Sequence, residues 1–512
     1  MKKTYIASAV CLAAAIALAG CGPTGPAKDG ETLIIANAGD PRSLDPALTN
    51  DSASSEIMKQ VYNTLFDLDY STMEAVPSLA EDYAFENDAA GRPTILRIFL
   101  RQGVLFHNGD ELKASDIKFN LDRAKVSPQI SEIAGMIDRT EVVGDYELVI
   151  YLQFPFMPIL NNLAHTAMSI VSEKAVTQAG DSYDRNPIGT GPMKFVSWVK
   201  GDRIELTRWD QYWGEKPRIK NITMRYILDP ATRIAELKAG GVDISLALQP
   251  QDIPGIEANP DLQMVRGYNL SLNFIGFNMQ NEHFKDVRVR QAIAHAIDLD
   301  ALQSSVFMGV GRPGRGPLPS TVWASAAEEL PQYEYNPEKA KQLLAEAGYP
   351  DGFSTRIVTN DGNAMRLNTA VAVQAMLKDV GIDLEVRPVE WAAFLEMLDK
   401  GDSQMFMLGW VTVTGDPDYG LEIFHTRSFG PGGNYSFFSS PEVDGLLDRA
   451  RQETNTDRRK EMYIEAQHLI QAGAPLIYTL EGEDLVAIRK NVRGFELSPA
   501  GHHSYYAAWL EQ

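Results

Sequence analysis

Two acidic residues that could serve as an acid–base pair lie in one short turn. Asp416 and Asp418 flank Pro417, and glycoside hydrolases use two carboxyl groups, one as the acid and the other as the base or nucleophile. Aspartate and proline are also the residues that turns prefer, and an Asp-Pro-Asp turn is usually solvated. The pair therefore keeps an exported hydrolase open as an alternative, and it does not by itself indicate catalysis.

Histidine and cysteine form no recognisable catalytic or metal-binding motif. The eight histidines are scattered, and the chain contains no H-E-x-x-H, no phosphate-binding P-loop and no G-x-S-x-G. His425 could touch a metal chelate, but no second ligand is visible for it. The two cysteines, Cys11 and Cys21, both belong to the N-terminal segment. The sequence thus predicts no enzyme activity, no metal site and no cofactor.

The N-terminus has the pattern of a bacterial export signal. Two lysines precede an apolar run over 6–18, which is too short to span a membrane as a helix. Small residues and then Cys21 follow, and this pattern resembles the bacterial lipobox. Acylation of Cys21 after cleavage would anchor the chain stably, because two or three acyl chains hold a protein that one chain would not. We predict a signal peptide over 1–20 and a tether over 21–31; the alternative is an ordinary secretory signal.

Length and charge narrow the function classes. The chain has 512 residues, of which 44% are hydrophobic and 22% charged, so it is long enough for about two to four domains with their own cores. The net charge is −21, and so acidic a protein is poorly suited to phosphate backbones. No nucleic-acid partner is expected. No second apolar run of about 18 residues follows the signal, so the rest of the chain is not expected to cross a membrane.

An apolar strand positions a tryptophan that could form the wall of a cleft. The stretch M-F-M-L-G-W predicts a buried strand over 405–411, with Gly409 and Trp410 near its end. Glycine lets another group approach the backbone closely, and tryptophan offers a wide apolar face. Strands alternate here with helices, predicted over 368–380 and 390–399, which is typical of a parallel sheet covered by helices. Because ligands bind beyond the carboxyl ends of such strands, Gly409 and Trp410 are predicted to line a cleft.

Three further patterns bear on the architecture. A Lys-Gly-Asp turn between 193–199 and 203–208 predicts a hairpin. Alternating apolar residues predict a strand over 272–278. Asn336 followed by Pro337 predicts the start of a helix.

Several blocks of sequence recur in one known family. The most recognisable is LRQGVLFHNGDELKASDIKFNLDR over 100–123. A second block covers 187–213 and includes G-T-G-P and R-W-D-Q-Y-W. Three more blocks lie over 286–300, 336–348 and 380–391. Together they resemble the extracytoplasmic solute-binding proteins of the peptide and nickel family of ABC importers, known as family 5, and the match extends from about residue 32 to near the C-terminus.

This resemblance implies a mixed α/β (α+β) fold with two lobes of the periplasmic-binding-protein type and an extra inserted domain. Two strands would join the lobes, which close on a ligand between them. The implied divisions are lobe I over 32–74, 187–268 and 485–512, inserted domain II over 75–186, and lobe III over 269–484.

The resemblance also implies where the ligand binds. The residues assigned to the site are Gly409, Trp410, Val411, Thr412, Val413, Thr414 and Asp416, with Asp40 approaching from the other lobe. Many peptide binders of this family have an aspartate three residues after the Gly-Trp pair, where it holds the peptide ammonium, and this chain has Val413 there. The dipeptide-binding branch has an arginine where this chain has N-D-G over 360–362. Both departures favour a longer or modified peptide, or a different solute, over a dipeptide.

The leading prediction is a lipid-anchored component of an ABC importer that captures peptides, oligopeptides in particular, and delivers them to the permease and ATPase subunits. Such a protein performs no chemistry and acts as a monomer in the cell envelope, on the periplasmic side or the extracellular face of a membrane. The alternatives are a binding protein for a nickel or haem chelate, an exported hydrolase, and a structural or adhesion lipoprotein.

Overall fold

The structure is a computed structural model that describes residues 30–49, 51–361, 363–430 and 433–511. The predicted signal peptide and Cys21 lie outside the described residues. Within the described ranges, no helix is both long enough and apolar enough to cross a membrane.

The strands are numbered in chain order. They are β1 (Thr32–Asn37), β2 (Phe66–Leu68), β3 (Ala75–Pro77), β4 (Ala80–Glu86), β5 (Ile95–Leu100), β6 (Ile137–Gly144), β7 (Glu147–Leu152), β8 (Met193–Val199), β9 (Arg203–Arg208), β10 (Asn221–Tyr226), β11 (Ile244–Ser245), β12 (Leu262–Phe277), β13 (Phe353–Asn360), β14 (Ile382–Val389), β15 (Met405–Val411), β16 (Leu476–Arg489), β17 (Val492–Arg493) and β18 (Trp509–Leu510).

The α-helices are numbered in the same way. They are α1 (Ser52–Val61), α2 (Ala114–Val126), α3 (Ser131–Ala134), α4 (Ile159–Asn162), α5 (Glu173–Ala179), α6 (Pro230–Ala239), α7 (Ile253–Glu257), α8 (Val287–Ala296), α9 (Leu299–Ser305), α10 (Pro337–Glu346), α11 (Ala364–Lys378), α12 (Trp391–Asp399), α13 (Pro417–Leu421), α14 (Pro441–Ala450) and α15 (Thr456–Gly473).

Ten strands form one sheet that runs through both halves of the molecule. Its order is β14-β13-β15-β12-β16-β11-β1-β10-β9-β8. β1 pairs in parallel with β10 and β11, and β13 pairs in parallel with β14 and β15. β12 is antiparallel to both β15 and β16. The sheet is therefore mixed, and the parallel arrangement predicted from the alternation of strands and helices over 353–411 is confirmed for β13, β14 and β15.

Two long strands in the middle of the sheet, β12 and β16, connect its two halves. β12 has 16 residues and β16 has 14. The register between them shifts between Tyr268 and Leu272. After the shift β12 also pairs with β15, whereas the far end of β16 pairs with β11. A bulge bends a strand and increases its twist, so the two halves of the molecule meet at this shift.

A separate antiparallel sheet of four strands lies over 80–152. Its order is β4-β5-β7-β6. Leu96 and Ile98 of β5 point to one face, where they are buried with Ile117 and Leu121 of α2. The alternation of buried and more exposed residues along β5 is that of a strand covered by a helix on one side.

Strand β15 is buried on both faces along its first four residues. Phe406 and Leu408 pack in one apolar cluster with Phe274, and Met405 and Met407 pack in another on the opposite face. Side chains of this size stabilise the fold by ~1.5–3 kcal/mol each when fully buried. The strand that leads to Gly409 is therefore anchored from both sides.

Several sequence predictions for individual elements are confirmed. β8 and β9 form the predicted hairpin, and β15 spans the predicted residues. The Asn336 side chain accepts a hydrogen bond from the Lys339 N–H at 2.9 Å and starts α10, with Pro337 at its first position. The predicted domain divisions stay a prediction.

Two elements begin earlier than predicted. α11 starts at Ala364 rather than at 368, because Asn363 caps it by accepting a hydrogen bond from the Arg366 N–H at 3.0 Å. β12 starts at Leu262 rather than at 272. The sequence did not indicate this first half, because its polar and partly exposed residues do not alternate with buried ones. Both differences affect the site, because each element contributes residues to it.

Candidate ligand-binding site

A cavity of about 800 Å³ lies between the two halves of the molecule. One side is formed by α1, the end of β1 and the loop after β11. The other side is formed by the middle of β12, the loop after α9 and the start of α11. β16 crosses between the two sides and contributes 480 and 482–486. A space of this size, walled by separate parts of the chain, is typical of a site for a small molecule or a short peptide.

Gly409 makes room for two polar side chains next to this cavity. In the ladder of β12 and β15, Gly409 lies opposite Asn273, which lines the cavity. A methyl group on Gly409 would lie 2.6 Å from Arg366 Nη2 and 2.8 Å from Asn273 Oδ1. Both distances are shorter than contacts that a carbon atom tolerates, so the absence of a side chain lets the guanidinium and the amide approach the strand.

Arg366 is a partly buried cation whose side-chain partners are amide oxygens in place of a carboxylate. Its Nε donates to Asn273 Oδ1 and its Nη1 donates to Asn360 Oδ1, both at 3.2 Å. Among the described residues, no carboxylate lies within ion-pair distance of it. Burial lowers the pKa of Arg366, and no nearby charge offsets that effect. The guanidinium is therefore poised to accept an anion from a ligand.

The N-terminal end of α11 holds Arg366 in this position. Asn363 caps the helix through the Arg366 N–H, and Thr369 and Ala370, about one turn after Arg366, are buried. The first turn of the helix is thus fixed on the strands, and Arg366 projects from it toward Gly409.

Two carboxyl groups face the cavity at another point of its wall. Glu56 of α1 is 3% exposed; it accepts a hydrogen bond from the His503 N–H at 3.1 Å and is also hydrogen-bonded to the Tyr505 hydroxyl. Asp484 of β16 accepts a hydrogen bond from Asn269 Nδ2 at 2.9 Å. Both carboxyls line the cavity.

Burial raises the pKa of both carboxyl groups. It raises the pKa of Glu56 to about 8, although the bonds from Tyr505 and His503 act in the opposite direction, and the Asp484 charge adds to the rise. Burial also raises the pKa of Asp484, while its bond from Asn269 lowers it. Glu56 is thus mostly protonated at neutral pH in the absence of a cation.

The comparisons with known proteins agree on one family. The family model of bacterial extracellular solute-binding proteins, family 5, matches residues 74–430. The chain belongs to this family. It is 32% identical over 523 residues to the glutathione-binding protein GsiB of Pectobacterium atrosepticum, an alignment that covers 100% of this chain and 99% of that protein.

Two solved structures share the fold of this family 5 protein. HbpA2 from Haemophilus parasuis matches with a TM-score of 0.87 and 31% identity, covering 94% of this chain and 100% of that one. The periplasmic binding protein DppA from Helicobacter pylori, solved in complex with the peptide STSA, matches with a TM-score of 0.76 and 29% identity over 94% of this chain and 98% of that one. The mixed α/β, two-lobed fold is confirmed.

Membership settles the broad role of the chain. Family 5 proteins are the solute-binding components of ABC importers and act outside the cytoplasm. The protein is therefore not an enzyme, and its partners are the permease and ATPase of an importer. The exported hydrolase, kept open because of the turn at Asp416 and Asp418, is excluded by this assignment.

Three of the predicted site residues lie on the two faces of β15. Gly409 and Val411 pair with Asn273 and Ser271, which line the cavity, so they lie on the face toward it. Trp410 pairs with Leu272 and lies on the other face, stacked on Tyr419 at a ring distance of 5.7 Å. The ligand roles of Gly409, Trp410 and Val411 stay predictions.

The Trp410 indole N–H is a buried donor. Within the described part of the chain it has no hydrogen-bond partner. The edge of its ring also lies close to Gly433, where an added methyl group would be 3.1 Å from it. The indole therefore fills space between β15 and the segment around 433, and its donor faces no protein acceptor.

The residues that follow β15 have partners within the protein. Thr412 and Thr414 are each 1% exposed, and the Thr414 carbonyl accepts a hydrogen bond from Asn161 Nδ2 at 3.2 Å. Val413 lines a space of about 20 Å³ that Lys59 and His502 also line. These three residues lie outside the lining of the large cavity, and their predicted contact with a ligand is untested.

Both predicted carboxylates, Asp416 and Asp40, are engaged elsewhere. Asp416 binds Arg459 Nη2 at 2.7 Å through both of its oxygens and caps α13 through the Asp418 N–H at 2.9 Å. Asp40 accepts hydrogen bonds from the Trp198 indole at 2.9 Å and from the Gly201 N–H at 2.8 Å. Their assigned roles at the ligand stay predictions, and these contacts give each of them a structural role.

His425 is held among acidic side chains. Its two ring nitrogens lie 3.5 Å from carboxylate oxygens of Asp444 and Asp448. A search of the described residues for three or more His, Cys, Asp or Glu side chains placed to hold a metal ion found no such group.

Sequence reasoning missed two charged residues that line the cavity, Glu56 and Asp484, and a third, Arg366, that lies beside Asn273 of the cavity wall. Arg366 was overlooked because the start of α11 was placed after it; Asn363, a residue type that favours the N-cap, is the signal that could have shown the true start. Glu56 and Asp484 look like solvated charges in the sequence, and only the fold shows that they face the cavity.

Proposed function

We propose that this protein captures small peptides through their free carboxylate, which binds Arg366. The single observation that carries this proposal is a partly buried guanidinium beside Asn273, a residue of the cavity wall, whose protein partners are two amide oxygens, both at 3.2 Å. A ligand carboxylate would supply the missing negative charge and could accept two parallel N–H bonds from the fork of the guanidinium.

Leaving such a cation without a counter-charge is costly, which supports a role in binding. The desolvation of a buried charge amounts to several kcal/mol, and structural arginines in this chain offset it with other groups. Arg290, for example, donates to the Phe284, Lys285, Gly473 and Ala474 carbonyls at 2.6–3.2 Å. Among the described residues, Arg366 has no such cage of carbonyls, so its N–H groups are available to a ligand.

The open edge of β15 supports an extended ligand. β13 pairs with β15 only through Met405 and Phe406 among the described residues. Beyond Phe406, that edge of β15 has no neighbouring strand in the part of the chain that the structure describes, and Val411 at its end is 46% exposed. A peptide can add to such an edge through main-chain hydrogen bonds, which every sequence can form. Gly409 and Val411 would then contact the peptide backbone while Arg366 holds the carboxylate.

The named ligands of two relatives fit this chemistry. GsiB is named for glutathione, and DppA was solved with the peptide STSA. Both molecules are short peptides with free carboxylates. We propose the same class of ligand here, oligopeptides or modified peptides of a few residues, which the protein delivers to the permease of its importer.

The anchoring of the protein is a further part of the proposal. The lipobox-like pattern before Cys21 supports cleavage and acylation at that residue, so that a monomer is tethered to the membrane by residues 21–31. Mass spectrometry of the mature N-terminus would show a diacylglyceryl group on Cys21. An unmodified N-terminus after export would contradict the anchor and leave the binding function intact.

Calorimetry with defined peptides tests the binding function. The probes are glutathione, dialanine and tetra-alanine, and the tightest binder is then compared with its C-terminal amide. The Arg366→Gln variant should lose at least about 30-fold in affinity for the free acid, because breaking a buried charge pair costs ~2–5 kcal/mol. For the C-terminal amide, the affinity of the Arg366→Gln variant should be about the same as that of the unchanged protein, and weak in both.

An exposed arginine provides the matched control. Arg387 lies on edge strand β14 and is exposed, so Arg387→Gln changes the net charge by the same amount and should leave the affinity unchanged. The proposal is wrong if none of the three peptides binds, or if acid and amide bind the unchanged protein equally well.

A further inference from the structure

Two loops supply most of the apolar side chains that line the cavity. The first loop, 246–250, follows β11 and includes Leu248. The second loop, 306–310, follows α9 and includes Met308 and Val310. By contrast, the residues that β12 contributes to the lining are all asparagine or serine. The cavity wall therefore has an apolar part, formed by the two loops, and a polar part along β12.

Hydrogen bonds bring both loops to the same place on β16. The Leu248 N–H donates to the Leu485 carbonyl at 3.5 Å. Arg266 lies opposite Leu485 in the ladder of β12 and β16, and its Nη2 donates to the Gly309 carbonyl at 2.8 Å. Leu248 and Leu485 belong to one buried apolar cluster, and Val310 packs against that cluster. The apolar residues of the two loops therefore adjoin.

Both loops are held in place by side chains from other elements. Arg233 of α6 is 2% exposed, and its Nη2 donates to the Ala247 carbonyl of the first loop at 2.8 Å. Glu483 of β16 accepts a hydrogen bond at 2.8 Å from the Gly311 N–H, directly after the second loop. The apolar part of the wall is thus formed before any ligand arrives, which lowers the entropic cost of binding.

One residue in each loop has an unusual backbone conformation. Ala247 has φ 54° and Met308 has φ 53°, in the left-handed region that residues with a side chain rarely adopt. Such conformations are retained where the surrounding structure imposes them, and they cluster at ligand sites. Met308 is held there with 55% of its surface exposed. A long apolar side chain is thus presented at the cavity, where an apolar group of a ligand would cover it.

We propose that the space between the 246–250 and 306–310 loops is a subsite for an apolar side chain of the peptide ligand. The proposal rests on the proposed function, in which a peptide occupies this cavity. Main-chain hydrogen bonds to a strand edge accept every sequence, whereas an apolar subsite selects among sequences. It favours a large apolar side chain over alanine, and it disfavours a charged one, which would lose its hydration there. The protein would thus prefer peptides with leucine, methionine or phenylalanine at one position.

Calorimetry with altered peptides provides the test. The scaffold is the tightest binder among glutathione, dialanine and tetra-alanine. In an alanine peptide, each alanine is replaced in turn by leucine or by aspartate; in glutathione, the thiol carries a butyl or a carboxymethyl group. At one position the apolar form should bind about 10- to 100-fold more tightly than the scaffold. The acidic form at that position should bind no more tightly than the scaffold.

The Met308→Asn variant tests whether this gain arises between the two loops. Asparagine tolerates a positive φ, so the loop can keep its conformation. The gain from the apolar group should fall by at least about fivefold, whereas the affinity for the scaffold should stay within about twofold, as a double-mutant cycle would show. A purely structural role of Met308 would weaken both ligands equally. If Met308→Asn does not fold, Val310→Ala should reduce the gain in the same way.

An exposed apolar residue far from the loops serves as the matched control. Val126 at the end of α2 is 80% exposed and is not part of the cavity lining. Val126→Asn therefore replaces an apolar side chain by the same amide and should retain the full gain.

The outcomes separate this inference from the proposed function. If the scaffold binds but no apolar form binds more tightly, the apolar subsite is wrong, and peptide capture stands. A gain that is unchanged in both Met308→Asn and Val310→Ala also contradicts the subsite, because the apolar group then lies elsewhere. If none of the three scaffolds binds, the proposed function fails, and this inference fails with it.

Discussion

Two partly buried arginines near opposite ends of the 405–419 segment have different surroundings. Arg459 binds both oxygens of Asp416 at 2.7 Å and lies over the Trp323 ring at 5.2 Å. Burial lowers its pKa, but the Asp416 charge outweighs that effect and the pKa is raised overall. Arg366, beside Gly409, has only amide partners, and burial lowers its pKa without compensation. One cation is neutralised inside the protein and the other is not.

This difference supports a structural role for the pair of Asp416 and Arg459 and the proposed ligand-binding role for Arg366. Breaking a buried ion pair is costly because it leaves one charge unpaired, so the fold depends on both Asp416 and Arg459. A buried charge that the fold leaves unpaired raises the free energy of the unliganded state, and a ligand of opposite charge recovers that energy on binding. The carboxylate that sequence reasoning assigned to the ligand, Asp416, is already committed to the protein.

The largest effect is expected from removing the carboxylate of the paired arginine. Asp416→Ala leaves Arg459 buried without its counter-ion and removes the N-cap of α13, so the free energy of unfolding should fall by ~3–5 kcal/mol. Urea unfolding followed by circular dichroism measures this loss. Arg366→Gln, which removes an unpaired charge, should change stability by less than ~1 kcal/mol. Equal losses in the two variants would show that the two arginines do not differ as described.

The acidic side chains that line the cavity can be compared in the same way as the two arginines. Glu56 has a pKa raised to about 8 from 4.5, so between these values the folded protein holds one more proton than the unfolded chain. Its contribution to stability is therefore present in full at low pH and is lost as the pH rises toward 8. From pH 6.5 to 8 the free energy of unfolding should fall by ~1.4 kcal/mol per pH unit from this group alone.

The Glu56→Gln variant isolates this contribution. Glutamine cannot ionise, so the difference in stability between variant and unchanged protein should move by ~2 kcal/mol between pH 6.5 and 8. Urea unfolding at the two pH values measures it. The buried histidines His107 and His165, with pKa values lowered to about 4, are present in both proteins, so their effect cancels in the difference. A constant difference would mean that Glu56 is already ionised at neutral pH.

Strong patterns in the sequence predicted local structure well, and positions that depend on distant partners were missed. β15 was predicted with its observed bounds because four consecutive apolar residues are buried there on both faces. The first half of β12 was missed because residues such as Gln263 and Arg266 interrupt any alternation. That half exists because β16 pairs with it across more than 200 residues of sequence, which no local pattern records.

One residue of the site, Gly409, could be predicted because it belongs to a strong local pattern, whereas its partners come from distant parts of the chain. Gly409 was singled out because a glycine at a strand end permits close approach, and the structure shows that Arg366 and Asn273 are the groups that approach it. The arginine itself could not be assigned to this place from the sequence. Its partners, Asn273 and Asn360, come from two other strands, and their amides carry no charge pattern that would indicate the pairing.

The smallest effect is expected from changing the space around the unpaired arginine. In Gly409→Ala the new methyl group would lie 2.6 Å from Arg366 Nη2, and the flexible end of the arginine can move away. The cost in stability should therefore be below ~1 kcal/mol, whereas the displaced guanidinium loses its bond to Asn273 and its place at the cleft. Calorimetry should show affinity for the tightest of glutathione, dialanine and tetra-alanine reduced by about tenfold.

The control for this substitution is Gly144→Ala. A methyl group there meets no atom within 4 Å, so neither stability nor affinity should change. Combining Gly409→Ala with Arg366→Gln separates the two ways in which an added methyl group could act. If the methyl group acts only by moving the guanidinium, the double variant binds no more weakly than Arg366→Gln alone, because the group that it displaces is gone. A further loss of affinity in the double variant would instead indicate that the ligand contacts Gly409 of β15 directly.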